Sequence, residues 1–352
     1  MCSGFVTIIT SGGKFLPSST LKIVILMAGY GTRLRPLTWS RPKQLIRIAD
    51  KMVLDHVLDT FTSVPDPVIS EFIFVVGYLG DQIQDYMLRV HPNLKVRFVK
   101  QAEMRGQSHA VLLAREYLDG PMLVIYADTL IETDFSFLSK EASGAVAWVK
   151  AVPDPHRFGV ATLNEDGWVT HLVEKPQDVD NNLALVGCYY FQNPQMLLQA
   201  IEEQMKRGIS LKNEFYLADA INVMLEHGLR MRIDHVETWL DAGTPDDVLK
   251  TNRYYLEHGH GNITKDYTHN NSVFLPPVFI HPTATVESSV IGPHVAIGAK
   301  CCIHSTIIRD TIIDDGSLIS NVVMEHSLIG REVKIQDHVG IYNIGDNTEL
   351  TL

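Results

Sequence analysis

Cysteine is scarce: the 352 residues hold only Cys2, Cys188, Cys301 and Cys302. No two of them form a C-x-x-C pair, so neither a zinc site nor a dithiol redox motif is indicated. So few thiols in so long a chain fit a reducing, cytoplasmic setting. No run of about 20 apolar residues occurs, which argues against a transmembrane helix. Positive charge is also in deficit, with 30 Lys and Arg against 41 Asp and Glu, a net charge of −11. A broad basic face for nucleic acid is therefore not expected, whereas a binder of small phosphate esters needs only a local cluster of cations. Residues 1–20 contain a short apolar run, Phe5–Thr10, without the basic leader or the h-region of a signal peptide. They read as a peripheral N-terminal extension.

What the chain does have is alternation. Lys22–Met27 is a continuous apolar run of the kind buried parallel strands show. Val53, Val57, Leu58 and Phe61 follow at helical spacing, then a strand at Phe72–Val76, a helix at Leu79–Arg89, a strand at Lys95–Val99, a helix at Ala110–Leu118 and a strand at Met122–Tyr126. This β-α-β-α order predicts an α/β fold with a Rossmann-like mixed, mainly parallel sheet. Further strands are expected at Val146–Val149, Val160–Leu163, Trp168–Glu174 and Leu185–Phe191, with helices near Gln195–Arg207 and Leu217–His227.

Residues 258–274 are polar and aperiodic and read as a linker. Beyond them Ile280, Val286, Ile291, Ile297 and Ile303, then Ile319, Ile329 and Ile335, recur mostly every six residues, with Gly following Ile291, Ile297 and Ile329. A six-residue apolar period predicts a short left-handed parallel β-helix over 275–352; an ordinary β-sandwich is the competing fold.

The strongest chemical signal is Met27–Leu45, MAGYGTRLRPLTWSRPKQL, directly after a buried strand. Ala28, Gly29 and Gly31 remove side-chain bulk, so backbone N–H groups can approach a polyphosphate. Arg33, Arg35, Arg41 and Lys43 place four cations in eleven residues. Pro36 and Pro42 argue for an extended loop rather than a helix. A dinucleotide fingerprint is excluded because Leu34 and basic residues stand where a third Gly would open a helix; a P-loop is excluded because Ser11–Lys14 holds only a fragment of one, before the strand.

The segment resembles the signature of the sugar-1-phosphate nucleotidyltransferases, L-A-G-G-x-G-T-R-L-x-P-L-T-x-x-x-P-K. The resemblance continues in order through QAEMRGQSHA (Gln101–Ala110), VIYAD (Val124–Asp128), Phe158–Val160, Glu174–Pro176, Val186–Tyr189 and ETWLDAGTP (Glu237–Pro245). It implies a nucleotidyltransferase domain over 21–257 that takes a nucleoside triphosphate and a sugar-1-phosphate. Such a reaction joins two anions, so it needs cations and positioning more than a covalent nucleophile.

By this resemblance Arg33 meets the β- and γ-phosphates and Lys43 bridges the α-phosphate and the sugar phosphate. Ala28, Gly29, Gly31, Thr32, Gln101 and Gly106 hold the nucleotide, with the Gln101 amide reading a pyrimidine edge. Gly159, Glu174, Lys175 and Gly187 line the sugar-phosphate side. Asp128 and Asp241 hold one Mg²⁺. Glu214 and Asp219 are assigned to structure, and Arg35 and Arg41 to a solvated surface. The implied reaction is dTTP or UTP with glucose-1-phosphate. Guanylyl transfer to mannose-1-phosphate, a catalytically silent regulatory homologue, and a bifunctional enzyme with an acyltransferase histidine among His281, His294, His304, His326 and His338 stay open. The repeats also suggest a homo-oligomer.

Overall fold

The computed structural model describes residues 20–64, 69–177, 181–263, 267–337 and 339–351. The N-terminal extension up to residue 19 and His338 therefore lie outside the described residues. Leu21–Met27 is an interior strand of a nine-stranded sheet, parallel to Ile69–Val76 on one side and to Met122–Tyr126 on the other. Val96–Lys100 extends the parallel side. Leu183–Phe191 joins antiparallel to Met122–Tyr126 and links the sheet to Ala145–Ala151 and Gly159–Leu163. The fold is thus mixed α/β, parallel through its first half.

Side-chain alternation explains why helices cover both faces. Ile23 and Ile25 enter one core with Val53, Leu54, Ile83, Met87 and Val248. Val24 enters the other with Val111, Leu197, Ile201 and Ile221. The helices expected at 79–89, 195–207 and 217–227 form at Gly80–Val90, Pro194–Arg207 and Leu217–Glu226. The third expected helix is shorter and earlier, Gln107–Leu113, because Gly106, at φ +95°, breaks the chain immediately before it.

From Ser272 onward short strands stack in parallel on three faces. Val278 pairs with Val295, Ala296 with Ile312, and Ile312 with Leu328 on one face. On another, Val286, Ile303, Ile319, Ile335 and Leu350 follow one another. The first stacked strand, Ser272–Phe274, already pairs with Val290–Ile291, inside the stretch expected to be linker. Val295 and Ile297 point into the stack, while Ala296, Ile312 and Leu328 point out and belong to the α/β core. The two parts of the chain therefore share buried apolar surface.

Candidate active site

The loop after the first strand is not extended. It folds as three short 3₁₀ turns, Thr32–Leu34, Leu37–Trp39 and Lys43–Leu45, with Gly31, Pro36 and Pro42 as the residues that precede them. Proline sets φ near the value such a turn begins with, so the two prolines start turns instead of preventing them. Gly31 sits at φ +63°, and Thr38 Oγ1 donates to its carbonyl at 2.7 Å, closing the loop on itself.

Asp128 follows the Met122–Tyr126 strand at its C-terminal end, where α/β sheets open their crevice. Asp241 arrives from more than a hundred residues away through a two-stranded ribbon: Thr129–Glu132 pairs antiparallel with Thr238–Asp241, and Ala242 N–H donates to the Asp128 carbonyl. Lys43 Nζ is ion-paired with Asp128. Gly243 makes room for Arg33 beside Asp241: a Cβ there would lie 2.8 Å from the Arg33 guanidinium and 2.9 Å from an Asp241 carboxylate oxygen. Arg33, Lys43, Asp128 and Asp241 thus share one neighbourhood.

Electrostatics separates the two carboxylates. Burial works to raise Asp128, but Lys43, with a smaller part from Arg33, outweighs it and holds the carboxyl below the ordinary range. Burial, then repulsion from Asp128 and Asp247, pushes Asp241 up to about 6. Two carboxylates crowded in this way could hold a divalent cation of the kind that binds few carboxylates together with phosphate oxygens.

Two cavities of about 360 Å³ each meet here. One is lined by Ala28, Gly29, Tyr30, Thr32, Lys43, Gln101, Met104 and Gly106. The other is lined by Arg33, Arg157, Phe158, Glu174, Lys175, Gly187, Trp239 and Asp241. Gln107, Tyr126, Asp128 and Glu214 border both. A larger cavity of about 470 Å³, at Leu58, Phe61 and Phe72, is mainly apolar, and its carboxylate Glu71 is already paired with Arg97 at 2.9 Å.

In the first cavity Gln101 is buried, and its side-chain hydrogen bonds run through Nε2, to the Gly106 carbonyl and to His109 Nδ1, both at 3.1 Å. That leaves Oε1 for a ligand. Gly106 is required by packing as well, since a Cβ would lie 2.5 Å from the Phe215 backbone. In the second, Lys175 donates to Tyr216 Oη at 2.8 Å and stands 3.8 Å from Glu174. Burial raises the Glu174 carboxyl, with Lys175 opposing. Gly187, at φ +84°, lies against Tyr126, and a Cβ would meet that ring at 2.5 Å. Gly31 and Gly159 line neither cavity. Gly31 makes the turn, and Gly159 supports Glu174 from behind, its missing Cβ 3.1 Å from Oε2.

A family model described as nucleotidyl transferase matches residues 22–258, and a second, the GMPPB C-terminal domain, matches 274–350. The chain belongs to the sugar-1-phosphate nucleotidyltransferase family. It is 36% identical over 235 residues to the bifunctional protein GlmU of Methanocaldococcus jannaschii, covering 66% of this chain but 54% of that relative, so it spans about half of that relative's length. It is 29% identical over 367 residues to the glucose-1-phosphate thymidylyltransferase of Streptomyces antibioticus, covering 94% of this chain and 99% of the relative. The crystal structure of a UDP-glucose pyrophosphorylase complexed with UDP-glucose shares the fold, with a TM-score of 0.59 and 22% identity over 68% of this chain and 99% of that one.

Within this member of the family, two assignments from the sequence need correction and one residue had escaped notice. Glu214, given to structure, borders both cavities. Arg157, not singled out, stands 3.9 Å from Asp241 and 3.7 Å from Asp247; its signal was its place directly before Phe158-Gly159-Val160. Arg41, expected on a solvated surface, is 2% exposed and paired with Asp314. Among the described residues, no helix is long and apolar enough to cross a membrane.

Proposed function

We propose that this protein transfers a nucleotidyl group from a nucleoside triphosphate to a sugar-1-phosphate and releases pyrophosphate, with dTTP or UTP and glucose-1-phosphate as the preferred pair. The observation that carries this reading is the junction at Asp128. Two cavities open onto one carboxylate, a lysine is paired with it, and a second carboxylate and an arginine stand beside it.

In this reading the nucleotide occupies the cavity of Ala28, Gly29, Thr32 and Gln101, and Gln101 Oε1 accepts from a pyrimidine N–H. The sugar phosphate occupies the cavity of Glu174, Lys175 and Gly187, with Lys175 on the phosphate and Glu174 on hydroxyls. Lys43, in the wall of the nucleotide cavity and paired with Asp128 where the two cavities meet, draws the attacking phosphate oxygen and the α-phosphate together. Arg33 neutralises the charge that develops on departing pyrophosphate, and a guanidinium suits such a two-pronged anion contact. Asp128 and Asp241 would hold Mg²⁺, which supplies further charge neutralisation at the phosphates.

The substrate preference rests on the thymidylyltransferase relatives that match almost end to end. Uracil and thymine differ by one methyl group, a contact worth about 1–3 kcal/mol, so both belong in the assay. Because residues 274–350 match the GMPPB C-terminal model, GTP with mannose-1-phosphate is the second pair. The stacked strands of 272–351, with their offsets of 15 to 17 residues, support the left-handed β-helix reading of the C-terminal part. Both imidazole nitrogens of His326 are taken, by Asp310 and Asp246, which disfavours it as an acyltransferase base.

The deciding experiment measures pyrophosphate release from five nucleoside triphosphates against several sugar-1-phosphates with Mg²⁺. Fastest release from dTTP or UTP with glucose-1-phosphate is expected. Release from no pair would overturn the reading in favour of a silent homologue, and turnover of acyl-CoA would reveal a second activity.

A further inference from the structure

The cationic loop sits on the C-terminal strand stack, and we propose that this seat is a working part of the active site: Arg41, clamped in a buried ion pair by Asp314, positions Lys43 for phosphate transfer. The role of Lys43 rests on the transfer reading above; the seat itself rests on geometry alone.

Arg41 and Asp314 are each 2% exposed and are paired with one another. Asp346 stands 3.9 Å from the same guanidinium and accepts from Ser40 Oγ at 2.7 Å. On the far side of Lys43, Arg47 pairs with Asp315 at 3.0 Å. Lys43 therefore lies between two anchors, both on the stack. Between them the chain is a tight turn, with Leu45 N–H on the Pro42 carbonyl at 2.9 Å and Ile46 N–H on that of Lys43 at 3.1 Å. Little slack separates the anchors from the ammonium group.

The Ile-Gly recurrence of the repeats finds a reason here. A Cβ on Gly298 would lie 2.4 Å from Asp315 Oδ1, and one on Gly330 would lie 2.6 Å from Asp346 Oδ1. The glycines clear space for the carboxylates that receive the loop. Gly345 does the same for the loop backbone, since a Cβ there would meet Pro36 at 3.2 Å. Within the stack these carboxylates accept from neighbouring groups, Asp315 from Ala299 N–H at 2.6 Å and Asp346 from Arg331, and each has a further oxygen or lone pair to offer. The cations and the hydroxyl that take up this remaining capacity, Arg41, Arg47 and Ser40, come from the segment that carries Lys43. A misplacement of about 1 Å in a reacting group can cost about a hundredfold in rate, so a rigid seat has catalytic consequences without touching substrate. Arg41 is accordingly a positioning residue.

The test is Asp314→Asn in the full chain, read by steady-state kinetics and by amide hydrogen exchange. We expect kcat to fall about 10- to 100-fold, with the nucleotide KM little changed. Exchange should accelerate in residues 35–47 while 122–128 keep their protection, and Asp314→Glu should restore part of kcat. Should Asp314→Asn fail to fold, Arg41→Lys, which keeps the charge but loses the fork, is read in the same way. Native kcat in either variant overturns the proposal. So does exchange that quickens evenly across the sheet, because the pair would then serve only general stability. If the native chain released no pyrophosphate at all, the transfer reading would fall, and exchange would still decide the seat: acceleration confined to the loop sustains it, and unchanged exchange removes it.

Discussion

Arg41 and Lys43 are two residues apart in one loop and meet opposite fates. The Arg41 guanidinium is sealed against Asp314, both side chains 3% exposed. Lys43 and Asp128 keep 16% and 21% of their side chains exposed; Asp128 borders both cavities and Lys43 the first. The chemistry of the two pairs is the same, a cation on an aspartate, but their surroundings are not. Around Arg41 the remaining acceptor, Asp346, is itself held by Ser40 and Arg331. Around Lys43 the second carboxylate, Asp241, is left crowded and raised to about 6 by burial and its acidic neighbours. A pair sealed from solvent is structural; a pair in a cavity wall, beside a carboxylate crowded by other carboxylates, is open to exchange partners for a ligand.

Removing charge from the exposed side should therefore cost activity and leave the fold. Asp128→Asn or Asp241→Asn is expected to lower kcat by at least about 10²–10³-fold, the scale of losing one preorganised electrostatic contact. Circular dichroism should be unchanged. Native turnover in either variant would remove the metal assignment and with it half of the contrast.

On the sealed side the cost should appear as stability. Arg41→Met takes the nearest cation from buried Asp314 and leaves it with Arg47 at 3.7 Å, and breaking such a pair from one side costs up to about 3–5 kcal/mol. Urea unfolding measures this directly. If Lys43→Met lowered the midpoint as much as Arg41→Met, the two environments would not differ in the way their burial indicates.

A smaller effect runs in the opposite direction. With its carboxyl raised to about 6, Asp241 is ionised at neutral pH at the expense of the fold. Asp241→Asn should stabilise the metal-free protein by on the order of 1 kcal/mol while abolishing turnover. Added Mg²⁺ should raise the Tm of the native chain and not that of the variant. A destabilised metal-free variant would mean that Asp241 is held by contacts worth more than the repulsion it feels.

Much of this was legible in the residues, for local reasons. The strand Met122–Tyr126 formed where its apolar run ends, and that end placed Asp128 in the crevice. The six-residue period appeared as stacked strands, because each turn of the repeat buries one aliphatic. What escaped was non-local. The resemblance named Asp241 beside Asp128, but the ribbon that carries it there was not foreseen, because its strands have four residues each and no periodicity of their own. Arg41 looked solvated because its partner lies more than 270 residues away. The prolines were read as breakers because their role at the start of a turn depends on what the loop rests against.

The least effect is expected where the same stack meets the helix Pro245–Tyr255, and it sharpens the comparison by adding a titratable contact. His326 bridges Asp310 at 2.7 Å and Asp246 at 3.2 Å, with Arg253 also on Asp310. The bond to Asp310 raises the imidazole above its ordinary value of 6.5; burial opposes it, and the bond to Asp246 adds to the rise. The folded state therefore holds this proton more tightly than the unfolded chain. The stabilisation is complete below about pH 6.5 and is lost as pH rises through the folded value. At 39% exposure solvent screens much of it, so the expected shift is small. Urea midpoints of the native chain and of His326→Gln, taken from about pH 5.5 to 8.5, should converge toward the alkaline end. Parallel profiles would show that the docking of helix on stack is held by the apolar seam of Ala296, Ile312 and Leu328, with Arg253, and owes nothing to the histidine.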